Sequence, residues 1–346
     1  MYTSRTACCL CGGLLQEGFT LYGHPITFSP TIKSHEEDIY EDLKYGSCSA
    51  CGSVQLMTLV PPHILYENSH NGTIYSSTWT RHHEAFSDFI KVDAKSKIIE
   101  VGGTGSLTID AEYRILDIVD NDSSNHIKGN CEDFDFCHTD CVIMSHVFEH
   151  LYEPSKFIKN CYMGGVGDIF ISIPYMSTNS HVLPIHTEHT YFADELDIIN
   201  LFEMNKYKLK CTKNFEKHSI FFHFILNEDV VPRGGHLRPG REVELFYNIE
   251  KRNKILEDIS FHDDTYIMPA GHFGQIIYYY LKNKQIKGFI DNDKNKQNKR
   301  VYGTPFYVFS LDAVFPKNII LYGGNYSSEI QEQIRKVHPL CNILVI

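Results

Sequence analysis

The sequence contains no apolar run that approaches the roughly 18 residues needed for a membrane-spanning helix. Its first residues lack a basic segment followed by an apolar one, so we expect no secretory signal. Positive charge is not in excess either, because 32 Lys and Arg residues stand against 43 Asp and Glu residues, for a net charge of −11. Nucleic-acid binding needs a basic face. These absences predict a protein with no membrane or nucleic-acid partner, which acts on a small molecule.

Disulfide bonds are not expected, although eleven cysteines are present. The number is odd and no export signal precedes them, so we expect a reducing, cytoplasmic setting. At 346 residues, with 42% hydrophobic and 22% charged residues, the chain is long enough for two or three globular domains. The sequence contains no heptad repeat that would indicate an oligomeric state.

Four of the cysteines form two C-x-x-C-G motifs. Cys8 and Cys11 make the first pair, Cys48 and Cys51 make the second, and 36 residues separate the pairs. Zinc favours four thiolates in a tetrahedron, and a C-x-x-C turn places two of them on one side of the ion. Cys9 lies between two ligands and is expected to point away. Redox chemistry is the alternative for a single pair, but two pairs favour a closed, structural zinc site.

An apolar strand that begins at Lys97 leads into an acidic residue and a glycine-rich turn. This segment contains Glu100, Gly102, Gly103 and Gly105. Glycine lets the backbone approach a ligand closely at such a turn. The order Glu-x-Gly-x-x-Gly fits an adenosyl ligand better than the pyrophosphate-binding order G-x-G-x-x-G.

The next strand pattern covers residues 113–119 and is followed by an acidic segment. An acid at the end of the second strand can accept hydrogen bonds from both ribose hydroxyls, and either Asp117 or Asp120 can serve. Only seven residues separate Ser106 from Arg114. The helix that normally follows the glycine turn must therefore be very short.

An apolar strand at residues 141–145 leads into S-x-V-x-E-H, with Pro154 close behind. This stretch closely resembles the segment after the fourth strand in class I S-adenosylmethionine-dependent methyltransferases. The resemblance implies an α/β, Rossmann-like domain that binds S-adenosylmethionine. Besides the glycine turn and the aspartates, it implies cofactor contacts from Asn130, Cys131, Ser145, Glu149 and His150. A structural role at a helix N-terminus is the alternative for the last two.

Three local matches extend the resemblance to nearly the full chain. They are the paired C-x-x-C-G motif, residues 74–77 followed by His82 and His83, and residues 185–192. The last two are similar to the Y-x-Y-x-S…H and Y-H-E-H-x-x-Y-F stretches of sugar C-methyltransferases, which make branched-chain deoxysugars on nucleotide carriers. That family implies three domains: an N-terminal zinc module at 1–77, a methyltransferase domain at 78–226 and a Rossmann-like domain that helps to bind the nucleotide-sugar at 240–346.

The same resemblance implies the catalytic residues. Glu188 and His189 would lie beside the transferred methyl group, with His189 as the base, and Tyr75 would face the sugar. A sugar carbon next to a ketone can lose a proton to a positioned histidine, which titrates near neutral pH. The family's tyrosine is His186 here, a further candidate, and its first histidine is Thr187. N- or O-methylation of a similar sugar, or a non-catalytic protein that binds sugar nucleotides, therefore stays open.

The last part of the chain predicts a second, smaller parallel sheet. Residues 265–274 form a strand and a glycine turn, and strand patterns recur at 287–293, 318–324 and 341–346. Apolar residues at helical spacing follow the turn, and strands that alternate with helices indicate a doubly wound sheet. The turn and Asp291 are candidates for holding the diphosphate or ribose of a nucleotide-sugar. A structural cap is the alternative.

Overall fold

The computed structural model shows three regions, each with one larger sheet, and two further sheets of two strands, Thr3–Ser4 with Thr58–Leu59 and Pro30–Thr31 with Arg300–Val301. It describes residues 3–27, 30–66, 77–103, 105–120, 123–174, 187–216, 218–234, 240–259, 264–281, 285–324 and 327–346.

The N-terminal region consists of short strands that pair mainly in antiparallel fashion. Its elements are β1 Thr3–Ser4, β2 Leu15–Pro25, β3 Pro30–Thr31, a 3₁₀ turn His35–Glu37, β4 Tyr40–Cys48, β5 Val54–Leu56, β6 Thr58–Leu59 and α1 Pro62–Leu65.

The central region alternates strands and helices. Its elements are α2 Ser77–Phe89, β7 Lys97–Val101, β8 Glu112–Asp117, β9 His126–Lys128, β10 Cys141–Ser145, a 3₁₀ turn Phe148–His150, α3 Pro154–Gly164, β11 Asp168–Pro174, β12 Tyr191–Phe192, α4 Glu195–Met204, β13 Tyr207–Phe215 and β14 Ser219–Leu226.

The C-terminal region repeats this alternation on a smaller scale. Its elements are α5 Arg241–Asp258, β15 Thr265–Met268, α6 His272–Tyr280, β16 Gly288–Ile290, β17 Arg300–Val301, β18 Val308–Phe309, a 3₁₀ turn Leu311–Ala313, β19 Asn318–Leu321, α7 Ser327–Val337 and β20 Asn342–Val345.

The central sheet has seven strands in the order β13-β14-β11-β10-β7-β8-β9. Five of them are parallel, and β14 runs antiparallel to both neighbours. Strands β10 and β11 are apolar and buried along nearly their whole length, as expected for strands covered on both faces. Strand order reverses between β7 and β10. Ligands of such sheets bind outside the carboxyl ends of the strands at this point.

The crossover from β7 to β8 departs from the expectation of a very short helix. The described residues between these strands, 102–103 and 105–111, contain no helix. Instead, Leu107 and Ile109 pack with Phe86 of α2 in one apolar cluster. The sheet face is thus covered by α2, which replaces the packing of the missing helix.

The N-terminal sheet borrows a strand from the central region. Strand β12 pairs with β5, giving the order β12-β5-β4-β2. Buried Arg5 strengthens this junction by donating hydrogen bonds to the carbonyl oxygens of Thr190, at 2.6 Å, and Tyr152, at 2.7 Å. The segment just before β12 is therefore held between the two regions.

The C-terminal sheet has five parallel strands in the order β18-β16-β15-β19-β20. Helix α5 connects it to the N-terminal sheet, because Leu245 and Ile249 pack in the cluster around Tyr45, whereas Leu256 packs in the cluster below β15. Arg300 also joins these regions, because its Nη1 and Nη2 atoms lie 2.6 and 2.7 Å from the carboxylate of Asp38, whose side chain is buried. Among the helices described, none combines the length and hydrophobicity of a membrane span.

Candidate functional site

A cavity of about 720 Å³ opens at the carboxyl ends of β7, β8 and β10, and residues after β15 and β16 form its opposite wall. Its size is within the usual range for small-molecule sites. The central sheet contributes Glu100, Val101, Gly102, Gly103, Leu116, Asp117, Gly129, Asn130, Cys131, Ser145, His146, Val147 and His150. The C-terminal region contributes Met268, Pro269, His272, Asp291, Asn292, Asp293, Lys296, Glu329, Ile330 and Gln333.

The glycine turn forms the part of this wall where the sheet order reverses. Gly102 has φ +64°, and a Cβ atom there would lie 2.6 Å from Val147 Cγ2. At Gly103 a Cβ atom would lie 2.1 Å from the carboxylate carbon of Glu100. Gly102 is therefore required both for its backbone conformation and for space, and Gly103 is required for space alone. Gly105 also has a positive φ, but it is not among the cavity-lining residues.

Glu100 is buried under this turn and is 2% exposed. Burial raises its pKa to about 7, and the hydrogen bond from the Tyr113 hydroxyl, at 2.6 Å, opposes this shift. The carboxyl group is thus held by one donor, directly against the backbone of Gly103. It can stabilise a cationic group that enters the cavity beside the turn.

The two aspartates proposed for ribose binding lie in different environments. Asp117 lines the cavity at the end of β8, and its Oδ1 accepts a hydrogen bond from the Val119 amide at 2.9 Å. Asp120 is exposed, pairs with Lys128 at 3.0 Å and is not a lining residue. Geometry thus favours Asp117 and removes Asp120 from the candidates.

Two residues after β9 close the side of the cavity beyond Asp117. The Asn130 side chain accepts a hydrogen bond from the Glu132 amide at 3.0 Å. Cys131 is 5% exposed, and burial raises the pKa of its thiol. It therefore offers a neutral, apolar wall, and both residues line the cavity.

Ser145 and His146 continue the wall beyond β10. The Ser145 hydroxyl is buried and has no hydrogen-bond partner among the described residues. His146 has φ +54°, a left-handed conformation that is uncommon for a residue other than glycine and that often marks a functional position. No motif in the sequence marks His146 as a site residue. Its only sequence signal is its place directly after a buried strand.

The proposed catalytic residues Glu188 and His189 precede Thr190, which is hydrogen-bonded to the segment after β10. The Thr190 hydroxyl donates to the Leu151 carbonyl oxygen at 2.5 Å, and its amide donates to the Glu149 carbonyl oxygen at 3.3 Å. Glu188 lines the cavity. His189 is 8% exposed and lies behind the lining.

A titratable cluster of Glu149, His150 and His189 results, with possible ligand atoms within 4.8 Å of one another. The rings of His150 and His189 are 5.1 Å apart, and His150 is the one that lines the cavity. Burial and His150 hold the pKa of His189 well below its usual range. Burial raises the pKa of Glu149 to about 8, and Glu149 does not line the cavity.

Three positions of the family motifs have other outcomes. Tyr75 and His186 lie outside the described residues. Thr187, which replaces the family's first histidine, is fully buried and donates a hydrogen bond to the Ile26 carbonyl oxygen at 2.7 Å. It is therefore part of the packing between regions.

Asp291 occupies the position in the C-terminal sheet that corresponds to Asp117. It lines the cavity, but its carboxylate already accepts hydrogen bonds from the Ala270 and Asp293 amides and from Lys296, at 2.9–3.0 Å. The carboxylate is thus largely satisfied within the protein. Next to it, α6 begins at His272, which also lines the cavity. Helix N-termini favour anionic groups such as phosphates.

The four cysteines of the paired motifs meet in one cluster in the N-terminal region. Their sulfur atoms all lie within 4.8 Å of one another, with 3.7 Å between Cys8 and Cys51 and 3.5 Å between Cys11 and Cys48. Four thiolates bound to zinc at about 2.3 Å would be about 3.8 Å apart. The Gln55 amide donates to the Cys8 sulfur at 2.8 Å. The donor set and its spacing fit a closed tetrahedral metal site.

The solved structures that resemble the chain each match less than half of it. No protein-family model and no curated protein matches the chain. Among solved structures, it is similar to magnesium protoporphyrin IX methyltransferase from Synechocystis with bound S-adenosylhomocysteine, with 13% identity, TM-score 0.34, and coverage of 43% of this chain and 84% of that one. A putative S-adenosylmethionine-dependent methyltransferase from Listeria monocytogenes matches with 9% identity, TM-score 0.35, and coverage of 44% and 100%. An S-adenosylmethionine-dependent methyltransferase from Mesorhizobium loti matches with 9% identity, TM-score 0.32, and coverage of 41% and 96%. The order and direction of the seven strands confirm the predicted α/β Rossmann-like fold.

Proposed function

We propose that the protein is an S-adenosylmethionine-dependent methyltransferase that acts on a nucleotide-linked keto-sugar, with methylation at carbon. The observation that carries the proposal is the cavity at the reversal point of the central sheet. There the tight turn at Gly102 and Gly103, the end of β8 at Asp117 and the segment after β10 at Ser145 form one wall. This is the place and the set of groups that an adenosyl ligand needs.

Different residues of this wall would bind different parts of the cofactor. Asp117 would accept hydrogen bonds from the ribose hydroxyls, and the backbone at Gly102 and Gly103 would pass close to the ligand. Glu100 would face the ammonium group of the methionine part. When bound, the cofactor supplies an electrophilic methyl group.

The opposite wall supports a nucleotide-sugar as the substrate. It carries Lys296 and the N-terminus of α6, which favour phosphate oxygens, and Asn292 and Gln333, which can bond to sugar or ribose hydroxyls. Because both sheets contribute to one cavity, the two ligands would meet between them. This arrangement favours a substrate with an anionic carrier and a polar sugar.

The pair of His150 and His189 is the proposed proton acceptor. His150 reaches the cavity, and the His189 ring packs against it at 5.1 Å. Burial lowers the pKa of His189, which keeps its imidazole uncharged but makes it a weak base, so His150 would take the proton and His189 would position it. Glu188, which also lines the cavity, would orient the keto-sugar. Removal of a proton next to the ketone leaves a carbon nucleophile.

N- or O-methylation is the second candidate, and the buried Thr187 favours it. In the resembling sugar C-methyltransferases a histidine stands at this position, whereas Thr187 is committed to Ile26. The base assignment therefore depends on His150 and His189 alone. For the cysteine cluster we propose a structural zinc ion bound by Cys8, Cys11, Cys48 and Cys51, with no open coordination position.

The test is deuterium exchange into a nucleotide-linked keto-sugar in D₂O with S-adenosylhomocysteine present. Carbon methylation predicts exchange at the carbon next to the ketone without any methyl transfer, and loss of exchange in His150→Gln and His189→Gln. His63→Gln, an exposed histidine in α1, is the matched control. Methyl transfer from S-adenosylmethionine without exchange would establish the N- or O-methylation alternative. Cofactor binding without exchange or transfer on any keto-sugar or amino-sugar nucleotide would support a non-catalytic role.

A further inference from the structure

A second group of histidines lies beside the cavity, outside the residues assigned above to methyl transfer. His82, His146 and His218 have possible ligand nitrogens within 4.8 Å of one another, and we call them the three-histidine cluster. We propose that this cluster is a metal site that binds one divalent transition-metal ion and keeps a coordination position open toward the cavity. The inference does not depend on methyl transfer.

Three separate elements bring the histidines together. His82 comes from the middle of α2, His146 follows β10, and His218 lies in the turn between β13 and β14. The left-handed backbone of His146, at φ +54°, aims its ring at the other two. The ring centroids are 5.2 Å apart for two of the pairs and 5.3 Å apart for the third. A conformation that costs free energy at this point indicates that the ring position matters.

Burial favours neutral rings in the cluster. His82 is fully buried and His218 is 9% exposed. Buried imidazoles stay in the neutral form, which is the form that binds metals. In the part of the chain that the structure describes, His82 Nδ1 is buried without a hydrogen-bond partner.

The surrounding groups hold the rings as outer-shell ligands do in metal sites. Ser172 Oγ lies 2.9 Å from His82 Nε2, and Ser219 Oγ lies 2.8 Å from His146 Nε2 and 2.5 Å from His218 Nδ1. On the other side of His146, its Nδ1 lies 3.5 Å from Glu149 Oε1, so this imidazole would bind the ion through Nε2 once Ser219 Oγ turns away from that nitrogen. This carboxylate–histidine pair matches the arrangement that orients a ligating imidazole.

Three imidazoles are a ligand set that suits Zn²⁺, Co²⁺, Ni²⁺ or Cu²⁺. Metal–nitrogen bonds of about 2.0–2.1 Å would bring the nitrogens to about 3.3 Å from one another, so the rings must close by about 1 Å around the ion. With three protein ligands, a tetrahedral ion has a fourth position for water or an oxygen of a bound molecule. His146 and Trp79 line the cavity, so this position has access to it.

Trp79 lies close enough to the cluster for its fluorescence to report metal binding. It is the sole tryptophan of the chain, and its ring centroid lies 5.0, 4.8 and 4.7 Å from those of His82, His146 and His218. A paramagnetic ion in the cluster would therefore quench nearly all tryptophan fluorescence. Co²⁺ added to the full-length, zinc-saturated protein is expected to quench it saturably at one ion per chain, and excess Zn²⁺ is expected to restore it.

Two single variants make the assignment specific. His82→Gln and His218→Gln are each expected to weaken Co²⁺ binding at least tenfold, whereas the exposed His63→Gln control is expected to match the wild type. Circular dichroism and zinc content check that each variant is folded. Intense thiolate-to-cobalt absorption would show that Co²⁺ has entered the cysteine cluster instead, which contradicts the proposal. Absence of saturable quenching in the wild type at millimolar Co²⁺, or equal quenching in all variants, would also overturn it.

Discussion

The central and C-terminal sheets each place a glycine turn and an aspartate at the same cavity. The two sheets differ in how available these groups are to a ligand. Each has a first strand that leads to a glycine turn and a second strand followed by an aspartate. In the central sheet, Gly102 is fixed by a positive φ and by Val147, and Asp117 accepts only a local bond from Val119 among the bonds that the structure describes. In the C-terminal sheet, Gly271 is extended with open space around it, and Asp291 is held by three donors.

The difference shows that a glycine turn and an aspartate do not by themselves make a nucleoside site. What matters is whether the turn is forced against the cavity and whether the carboxylate has lone pairs left for a ligand. Both criteria favour the central sheet for the proposed cofactor site. The C-terminal sheet offers a helix N-terminus and Lys296, which fit the carrier of a substrate.

Alanine in the two glycine turns should give the largest contrast. Gly102→Ala places a Cβ atom 2.6 Å from Val147 Cγ2 in a left-handed conformation, so we expect about 100-fold weaker S-adenosylhomocysteine binding, equal to about 2.7 kcal/mol. Gly271→Ala meets no atom within 4 Å and should change this affinity less than about twofold. Calorimetric titration of both variants checks the prediction. Equal losses would mean that the two turns are equivalent.

The two aspartates should separate binding from stability. Asp117→Asn is expected to weaken S-adenosylhomocysteine binding about tenfold, because an amide replaces a charged acceptor, and to leave the melting temperature nearly unchanged. Asp291→Asn is expected to leave this binding unchanged and to lower the free energy of unfolding by about 1–2 kcal/mol, because three donors lose their charged partner. Urea denaturation and titration on each variant measure both quantities. The reverse pattern would assign the cofactor to the C-terminal sheet.

The smallest expected effect is a pH dependence of the free energy of unfolding, which comes from Glu100 in the central sheet. Its pKa is about 7 in the folded protein against an ordinary value of 4.5, so the folded state keeps a proton that the unfolded state has released. Stability should therefore fall as pH rises through this interval, by about 1 kcal/mol between about pH 6 and pH 7. Glu100→Gln retains an acceptor for Tyr113 and should lack this contribution. Urea denaturation at the two pH values compares them, and parallel curves would contradict the assignment.

Short-range motifs allowed much of this architecture to be predicted from the sequence. The glycine and apolar patterns of the central sheet depend on local backbone requirements, and the paired C-x-x-C-G motifs lead to one cluster. The three-histidine cluster was missed because His82, His146 and His218 come from distant elements and share no spacing. Asp120 was retained as an alternative because strand ends are hard to place from sequence. β8 ends at Asp117, and the next acid is exposed.

The contribution of single elements to a neighbouring region could not be predicted from the sequence either. Strand β12 contributes only two residues to the N-terminal sheet, and its pairing with β5 is set by tertiary contacts that leave no periodicity. Helix α5 shows a charged outer face in the sequence, but its Leu245 and Leu256 pack in two different clusters. The short strand β12 begins two residues after His189, whose ring lies 5.1 Å from that of His150.

The central claim, that the cavity of the seven-stranded sheet binds S-adenosylmethionine, is tested most directly by calorimetric titration of the zinc-loaded protein with S-adenosylhomocysteine. Trp79 lines the cavity, so its fluorescence provides an independent signal in the same sample. We predict one site per chain with a dissociation constant near micromolar and a change in Trp79 fluorescence that saturates at the same ratio. No heat, no fluorescence change and no thermal shift at millimolar ligand would contradict the account.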